Sequence, residues 1–254
     1  MTLHVAMVQQ ASGLEPEDNR RLVRELTPHD ADLVVFPEAF ARDFGKPGSD
    51  VSTHAEPVDG PFGRTVEEVA RERGTTVVAG MFEVSHDPGR PFNTVVLRGG
   101  GSVDYRKVHL YDSFGYRESD RLSAGDVTAV TAALDGLTLG LMTCYDLRFP
   151  EHSRALVDAG ADVLVVPAAW VAGERKVDHW RTLLRARAIE NTAYVVAAAQ
   201  PAPRYCGHSM VVDPLGDVVA EAGEDEAVVL RATLEPAVVA EARRTNPSLV
   251  NRRR

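Results

Sequence analysis

The stretch Leu137-Thr138-Leu139-Gly140-Leu141-Met142-Thr143-Cys144-Tyr145-Asp146-Leu147-Arg148-Phe149-Pro150-Glu151 passes from an apolar strand, through a cysteine, to a proline fit to open a helix. Just upstream, Asp135-Gly136 separates two apolar runs, 127–133 and 137–142; both residues tolerate the positive φ that a two-residue hairpin turn demands. Just downstream, Pro150 starts a helix that Gly160 ends, 163–166 reads as a buried strand, 177–191 as a long helix and 194–199 as another strand. A thiol at 144 therefore stands on a strand-to-helix turn. Such a turn exposes the side chain and can aim backbone N–H groups at an incoming carbonyl oxygen. Taken alone, a cysteine is more often a small buried hydrophobe.

Outward from this segment the same alternation continues. Residues 3–8 form a strand, 17–26 a helix and 33–36 a buried strand, so the chain opens β-α-β. Val66, Val69 and Ala70 mark a helix over 64–73, with Gly74 placed to end it in a left-handed cap before a strand at 76–82. Gly99-Gly100-Gly101 turns a hairpin between 95–97 and 103–107, and Asp213 to Gly216 turns another. The tail from Leu234 is polar and helix-prone, with no partner evident within the chain. No Pro-, Gly- or Ser-rich linker and no short repeat divides the sequence, so residues 1–254 are expected to form one domain. Apolar strands of this kind are buried on both faces when helices cover mixed sheets, which points to layered α/β or α+β architecture.

Composition narrows the function. With 254 residues and 44% hydrophobic content the chain can build a substantial core. Its 28 basic and 37 acidic residues give a net charge of -9, and no basic stripe occurs besides Arg252, Arg253 and Arg254, which argues against nucleic acid as a partner. Apolar runs are strand-sized, so no membrane span is expected. Residues 1–10 read as a strand and lack the pattern of a secretory signal, and a cytoplasmic location is expected. Two cysteines, Cys144 and Cys206, are too few for a disulfide scaffold, and a free thiol is expected at 144. The eight histidines show no ligand spacing, so no metal is expected.

Two further residues gain meaning beside Cys144. Glu38 follows the run Leu33-Val34-Val35-Phe36-Pro37, where a buried strand stops and α/β sheets place ligands. A partly buried carboxyl group there can take a proton from a thiol and return it to a leaving amine, although a loop cap or a pair with Arg42 explains it as well. Lys107 ends the strand over 103–106 and reads alone as a solvated ammonium beside Arg106 and His109.

Together, Phe36-Pro37-Glu38, Tyr105-Arg106-Lys107-Val108-His109-Leu110-Tyr111 and Cys144-Tyr145-Asp146-Leu147-Arg148-Phe149-Pro150-Glu151 resemble, in order, the three signature segments of the nitrilase, or carbon-nitrogen hydrolase, superfamily. Ala6-Met7-Val8-Gln9, Arg185-Ala186-Arg187-Ala188-Ile189-Glu190-Asn191 and Gly207-His208-Ser209 extend the likeness over nearly the whole chain. The resemblance implies a four-layer α-β-β-α sandwich. It also implies a homodimer or higher homo-oligomer, with the tail from about 234 packing on a partner subunit. It makes Cys144 the nucleophile, Glu38 the general base and acid, and Lys107 the cation that holds the tetrahedral oxyanion beside the Tyr145 N–H. Glu118, in Tyr116-Arg117-Glu118-Ser119, matches a further glutamate that orients Lys107 and the substrate.

A free thiol is only a few per cent ionised at neutral pH, so attack on an amide needs the adjacent base. The implied reaction is hydrolysis of a small carboxylate-bearing amide through a cysteinyl thioester, with no cofactor. The residues after the nucleophile are similar to those of the omega-amidase and deaminated-glutathione amidase branch. Carbamoyl-amide hydrolysis is the first alternative and nitrile hydrolysis the second; a binding or scaffold protein on the same fold is the non-enzymatic one. Trp170 is expected either to wall the pocket or to fill the core under the long helix. Arg175, Lys176 and Arg204 are candidate partners for a substrate carboxylate.

Overall fold

The computed structural model describes residues 2–225 and 227–253, leaving Met1 and Arg254, which belong to the expected first strand and basic terminus, outside the described residues. Alternation along the strands builds the architecture. In Leu3–Gln9 the side chains of Leu3, Val5 and Met7 point to one face and those of Ala6 and Val8 to the other, and all are buried. A strand buried on both faces must lie between layers.

Two six-stranded sheets supply those layers. The first runs, in spatial order, Val228–Leu234, Leu3–Gln9, Leu33–Val35, Thr76–Glu83, Phe92–Arg98 and Ser102–Arg106. The second runs Val218–Glu221, Met210–Val212, Tyr194–Ala199, Val163–Ala168, Leu137–Leu141 and Thr131–Leu134. In each sheet a parallel centre passes into antiparallel hairpins at the margins. Val5, Met7, Val78 and Val95 of the first sheet meet Leu139, Leu141, Val165 and Val196 of the second in one central core.

Helices cover the outer faces. Helix α1 (Pro16–Leu26) and helix α2 (Pro61–Arg73) bury Val23, Phe62, Val66 and Val69 against Ala6, Val34 and Val77 of the first sheet. Helix α3 (Pro150–Asp158) and helix α4 (Lys176–Asn191) bury Leu156, Trp180, Leu184 and Ala188 against Leu164, Val166 and Val195 of the second. The result is the α-β-β-α sandwich. Proline opens α1, α2 and α3, where its missing N–H costs nothing, and Gly74 ends α2 at φ 65° as expected. Asp135 (φ 47°) and Gly136 (φ 83°) turn the expected hairpin, whose first strand begins only at Thr131 because Val127 is exposed.

The tail has partners within the chain that its sequence did not show. Strand Val228–Leu234 pairs along the whole of Leu3–Gln9, and helix α5 (Pro236–Thr245) buries Val239 and Ala242 within this chain while Arg243 meets Asp162 at 2.7 Å. The polar look of the segment hid this partner, since two small apolar side chains suffice to seat a short helix. No helix among the described residues is long and apolar enough to cross a membrane.

Candidate active site

At the end of Leu33–Val35 the chain turns, and Glu38 is carried inward because its backbone lies directly on Gly80: a Cβ there would stand 2.8 Å from the Glu38 Cα and 2.5 Å from the Ala39 nitrogen. Only glycine allows so close an approach. Glu38 is 1% exposed. Its Oε1 accepts from Lys107 Nζ at 2.9 Å and from Asn93 Nδ2 at 2.7 Å, and its Oε2 accepts from the Ala169 amide of the second sheet at 2.7 Å. The Gln200 side chain also donates to its backbone carbonyl at 2.9 Å. The carboxylate is thus held from both sheets, with each oxygen committed.

Lys107 leaves the end of Ser102–Arg106, where its own N–H donates to the Asn93 carbonyl at 2.8 Å. Its ammonium, also buried, lies between two carboxylates, 2.9 Å from both Glu38 and Glu118. Burial works against the charged form, but the charges of Glu118 and Glu38 outweigh it and hold Lys107 well above the ordinary lysine value. Glu118 is raised, first by burial, with Lys107 opposing and Glu38 adding to the rise. It is anchored by the Tyr111 N–H, which donates to Oε2 at 2.5 Å.

Cys144 begins a short 3-10 turn, Cys144–Arg148, at the end of Leu137–Leu141 and takes φ 46°, a left-handed conformation uncommon for a residue with a Cβ. That turn is the sharp elbow expected here. Burial, then the Glu38 carboxylate, push the thiol well above its usual range, with Lys107 pulling the other way. The sulfur is therefore protonated at rest, in the field of both groups. Tyr145 follows in the first turn of this 3-10 segment, where N–H groups lack an intrahelical acceptor.

All four groups open on one cavity of about 660 Å³. Tyr145 and Trp170 also line it. Trp170 faces the cavity, its ring lies 5.3 Å from that of Trp180 in the core, and its Nε1 donates to the Lys176 carbonyl at 3.0 Å. Arg175 is not brought to the site. It takes a left-handed conformation ahead of α4, points outward with its side chain 76% exposed, and pairs with Glu174 at 3.8 Å. Arg204 reaches the cavity rim but is engaged by Asp43 and the Gly45 carbonyl.

Two residues escaped the sequence reading as functional candidates, Asn93 against the buried carboxylates and Arg148 on the cavity wall. Asn93, fully buried, donates to Glu38 at 2.7 Å and lies 3.5 Å from Glu118, so one amide spans both carboxylates. An asparagine near the start of a strand carries no signal of that kind. Arg148 lies within the motif around Cys144, yet its significance is tertiary: its guanidinium sits 4.9 Å over the Trp170 ring and has no acidic partner among the described residues. Lys176 is likewise without one; its ammonium rests 3.8 Å from the Phe114 ring centroid, and burial followed by the charge of Arg148 lowers its pKa.

The fold is a two-sheet sandwich with a buried thiol, two carboxylates and an ammonium at one cavity floor. Residues 4–244 match the carbon-nitrogen hydrolase family, and the chain belongs to it. The deaminated glutathione amidase of Escherichia coli O157:H7 is 41% identical over 236 residues, covering 91% of this chain and 88% of that one. A carbon-nitrogen hydrolase superfamily protein of Xanthomonas campestris, solved with an arsenic adduct in its active site, superposes with a TM-score of 0.88 at 28% identity, over 100% of this chain and 98% of that one. A mutant amidase from Nesterenkonia sp. AN1, solved in complex with acrylamide, does so with a TM-score of 0.79 at 28% identity, over 98% and 97%. The chain is an amide-hydrolysing enzyme of the nitrilase superfamily, in the deaminated-glutathione-amidase branch.

Proposed function

We propose that the enzyme hydrolyses a small amide bearing a carboxylate, with Cys144 as nucleophile, Glu38 as proton carrier, Lys107 and the Tyr145 N–H as oxyanion donors, and Glu118 holding Lys107. As Cys144 Sγ bonds to the carbonyl carbon, Glu38 takes the thiol proton and the oxyanion forms against Lys107. Collapse breaks the C–N bond and Glu38 gives its proton to the leaving nitrogen. Water, deprotonated by Glu38, then attacks the thioester; the carboxylic acid leaves and the thiol regains its proton. A protonated resting thiol suits this order, because the proton moves only when substrate is present to accept the sulfur.

The observation that carries the substrate class is the pair Arg148 and Lys176. Arg148 and Lys176, two cations without acidic partners among the described residues, face a cavity whose carboxylates Glu38 and Glu118 are both engaged by Lys107, in a protein of net charge -9. A substrate carboxylate supplies the missing anion. We further propose that residues 1–254 act as one domain, as a homodimer or larger homo-oligomer in the cytoplasm, with small molecules rather than nucleic acid or membrane as partners. The family resemblance supports the assembly, and two free cysteines accord with a reducing compartment.

The test is ammonia release from ω-amides with a free carboxylate, the same amides as methyl esters, carbamoyl compounds and nitriles; deaminated glutathione is one member, given the name of the E. coli relative. The free-carboxylate amides should turn over fastest, and Cys144→Ala should abolish turnover while circular dichroism stays unchanged. Parent-rate turnover by Cys144→Ala would end the assignment, and equal use of acid and ester would end the carboxylate reading.

A further inference from the structure

Lys107 and Cys144 come from different sheets, one from the end of Ser102–Arg106 and the other from the end of Leu137–Leu141. Each is well fixed to its own sheet: the Lys107 amide bonds the Asn93 carbonyl at 2.8 Å, and the Met142 amide bonds the Val165 carbonyl at 3.1 Å. Neither bond sets the distance between the two residues.

Glu38 joins the Lys107 ammonium to the Ala169 amide, and one further side chain ties the two backbone segments together. Asp146 is fully buried, and its Oδ1 accepts from the His109 backbone N–H at 3.0 Å and pairs with His109 Nδ1 at 2.7 Å. Its Oδ2 accepts from the Tyr105 hydroxyl at 2.7 Å and from the Thr143 N–H at 2.8 Å. These partners stand two residues before Lys107, two residues after it, and one residue before Cys144. Among the described residues, the hydrogen bonds that join 105–109 to 143–148 all end on Asp146. His109 adds a ring stack on Phe149 at 3.7 Å, and His152 Nε2 lies 3.1 Å from the Tyr105 oxygen. Asp146 does not line the cavity and so has no route to substrate.

We propose that Asp146 is a positioning residue: its carboxylate locks the segment carrying Lys107 to the elbow carrying Cys144 and so sets the separation of ammonium and sulfur across the two sheets. This rests on the roles proposed above for Lys107 and Cys144. A thiol and an oxyanion donor must be placed together to within a fraction of an ångström, and a shift near 1 Å costs about 100-fold in rate. Asparagine at 146 keeps the shape of the side chain but turns an NH2 toward one of the two donor pairs, so one side of the clasp opens.

The experiment uses the full chain with Cys206→Ala, leaving Cys144 as the single thiol. Asp146→Asn should lower kcat by about 100-fold with KM within about threefold. It should also move the pH midpoint for alkylation of Cys144 by iodoacetamide upward, because Lys107 no longer favours the thiolate at close range. In a Lys107→Met background the same Asp146→Asn change should leave the alkylation profile where Lys107→Met alone puts it, since its effect passes through the ammonium. Tyr105→Phe, which removes one hydroxyl, should show the same pattern at smaller size, and it decides the matter if Asp146→Asn does not fold.

A folded Asp146→Asn with parent kcat and parent alkylation profile overturns the proposal, as does an equal alkylation shift with and without Lys107. If Asp146→Asn does not fold, Tyr105→Phe with parent kcat and profile overturns it. Lys107→Met at parent rate would instead defeat the reading beneath it, and the two failures are told apart by that single variant.

Discussion

Two buried carboxylate clusters flank the segment around Lys107, and the chain uses them in opposite ways. Glu38 and Glu118 grip an ammonium at 2.9 Å beside a thiol, and all four groups open on the cavity. Asp146 is as deeply buried, but it is saturated by two backbone amides, a phenol and an imidazole, and lies off the cavity. Their protonation tendencies separate accordingly. In the first cluster Lys107, Glu118 and Cys144 are all raised, so protons are retained where the proposed reaction would use them. For Asp146, burial pushes upward, but the His109 hydrogen bond, the charge of His152 and the Tyr105 hydroxyl overcome it and hold the carboxyl below its ordinary range. Burial alone therefore decides nothing; the donors decide whether a buried acid handles protons or fixes geometry.

The largest test of that contrast is Lys107→Met. It removes the proposed oxyanion donor and leaves Glu38 and Glu118 without the ammonium between them, so kcat/KM should fall by about 100- to 1,000-fold. Steady-state ammonia release beside a far-ultraviolet spectrum checks it, and a folded variant within tenfold of the parent would remove Lys107 from the chemistry.

Next in size is the stability of Asp146→Asn against pH. Losing a carboxylate with this many donors should cost on the order of 2 kcal/mol at neutral pH. The sign of the dependence follows from the lowered pKa: the contribution is present above the unfolded value of about 3.9 and is lost as pH falls through the folded one. The gap in thermal midpoint between parent and variant should therefore narrow below about pH 4. Lys107, raised instead, stabilises below its unfolded value of about 10.4 and loses that contribution as pH climbs past its folded one. If the Asp146→Asn gap stayed constant through acid, Asp146 would not be an ionised hub.

How much of this was legible beforehand follows the same division. Glu38 and Cys144 each end an apolar strand and Lys107 ends a polar edge strand, all three inside distinctive local segments, and the structure brings them to one cavity floor with Glu118. The hairpin at Asp135-Gly136 and the glycine end of α2 were legible because turn geometry is local chemistry. Spatial strand order was not legible, since pairing such as Val228–Leu234 with Leu3–Gln9 joins segments more than two hundred residues apart. Asn93 was missed because its meaning lies in the two carboxylates that converge on it from elsewhere. The small hairpin Asp112–Ser113 and Tyr116–Arg117 was missed because Phe114, at φ 52°, is not a residue that announces a tight turn.

Arg175 and Arg148 divide along a similar line, and their variants give the smallest effects. As a cation, Arg175 was a candidate partner for a substrate carboxylate, but direction is a tertiary property: a left-handed backbone turns it to solvent, where a pair such as the one with Glu174 at 3.8 Å contributes little. Arg148, inside the cavity without an acidic partner among the described residues, should meet the substrate carboxylate. Losing one charge-assisted contact of about 1.4 kcal/mol predicts that Arg148→Ala raises KM for the free-carboxylate amide about tenfold while kcat stays within about threefold. The methyl ester of the same amide should be indifferent to the change. Arg175→Ala should leave both constants within about twofold, because surface substitutions of this kind stay within about 0.5 kcal/mol. A tenfold KM effect at Arg175, with none at Arg148, would show that the substrate reaches out toward α4 rather than down along the Trp170 wall, and the carboxylate subsite would have to move there.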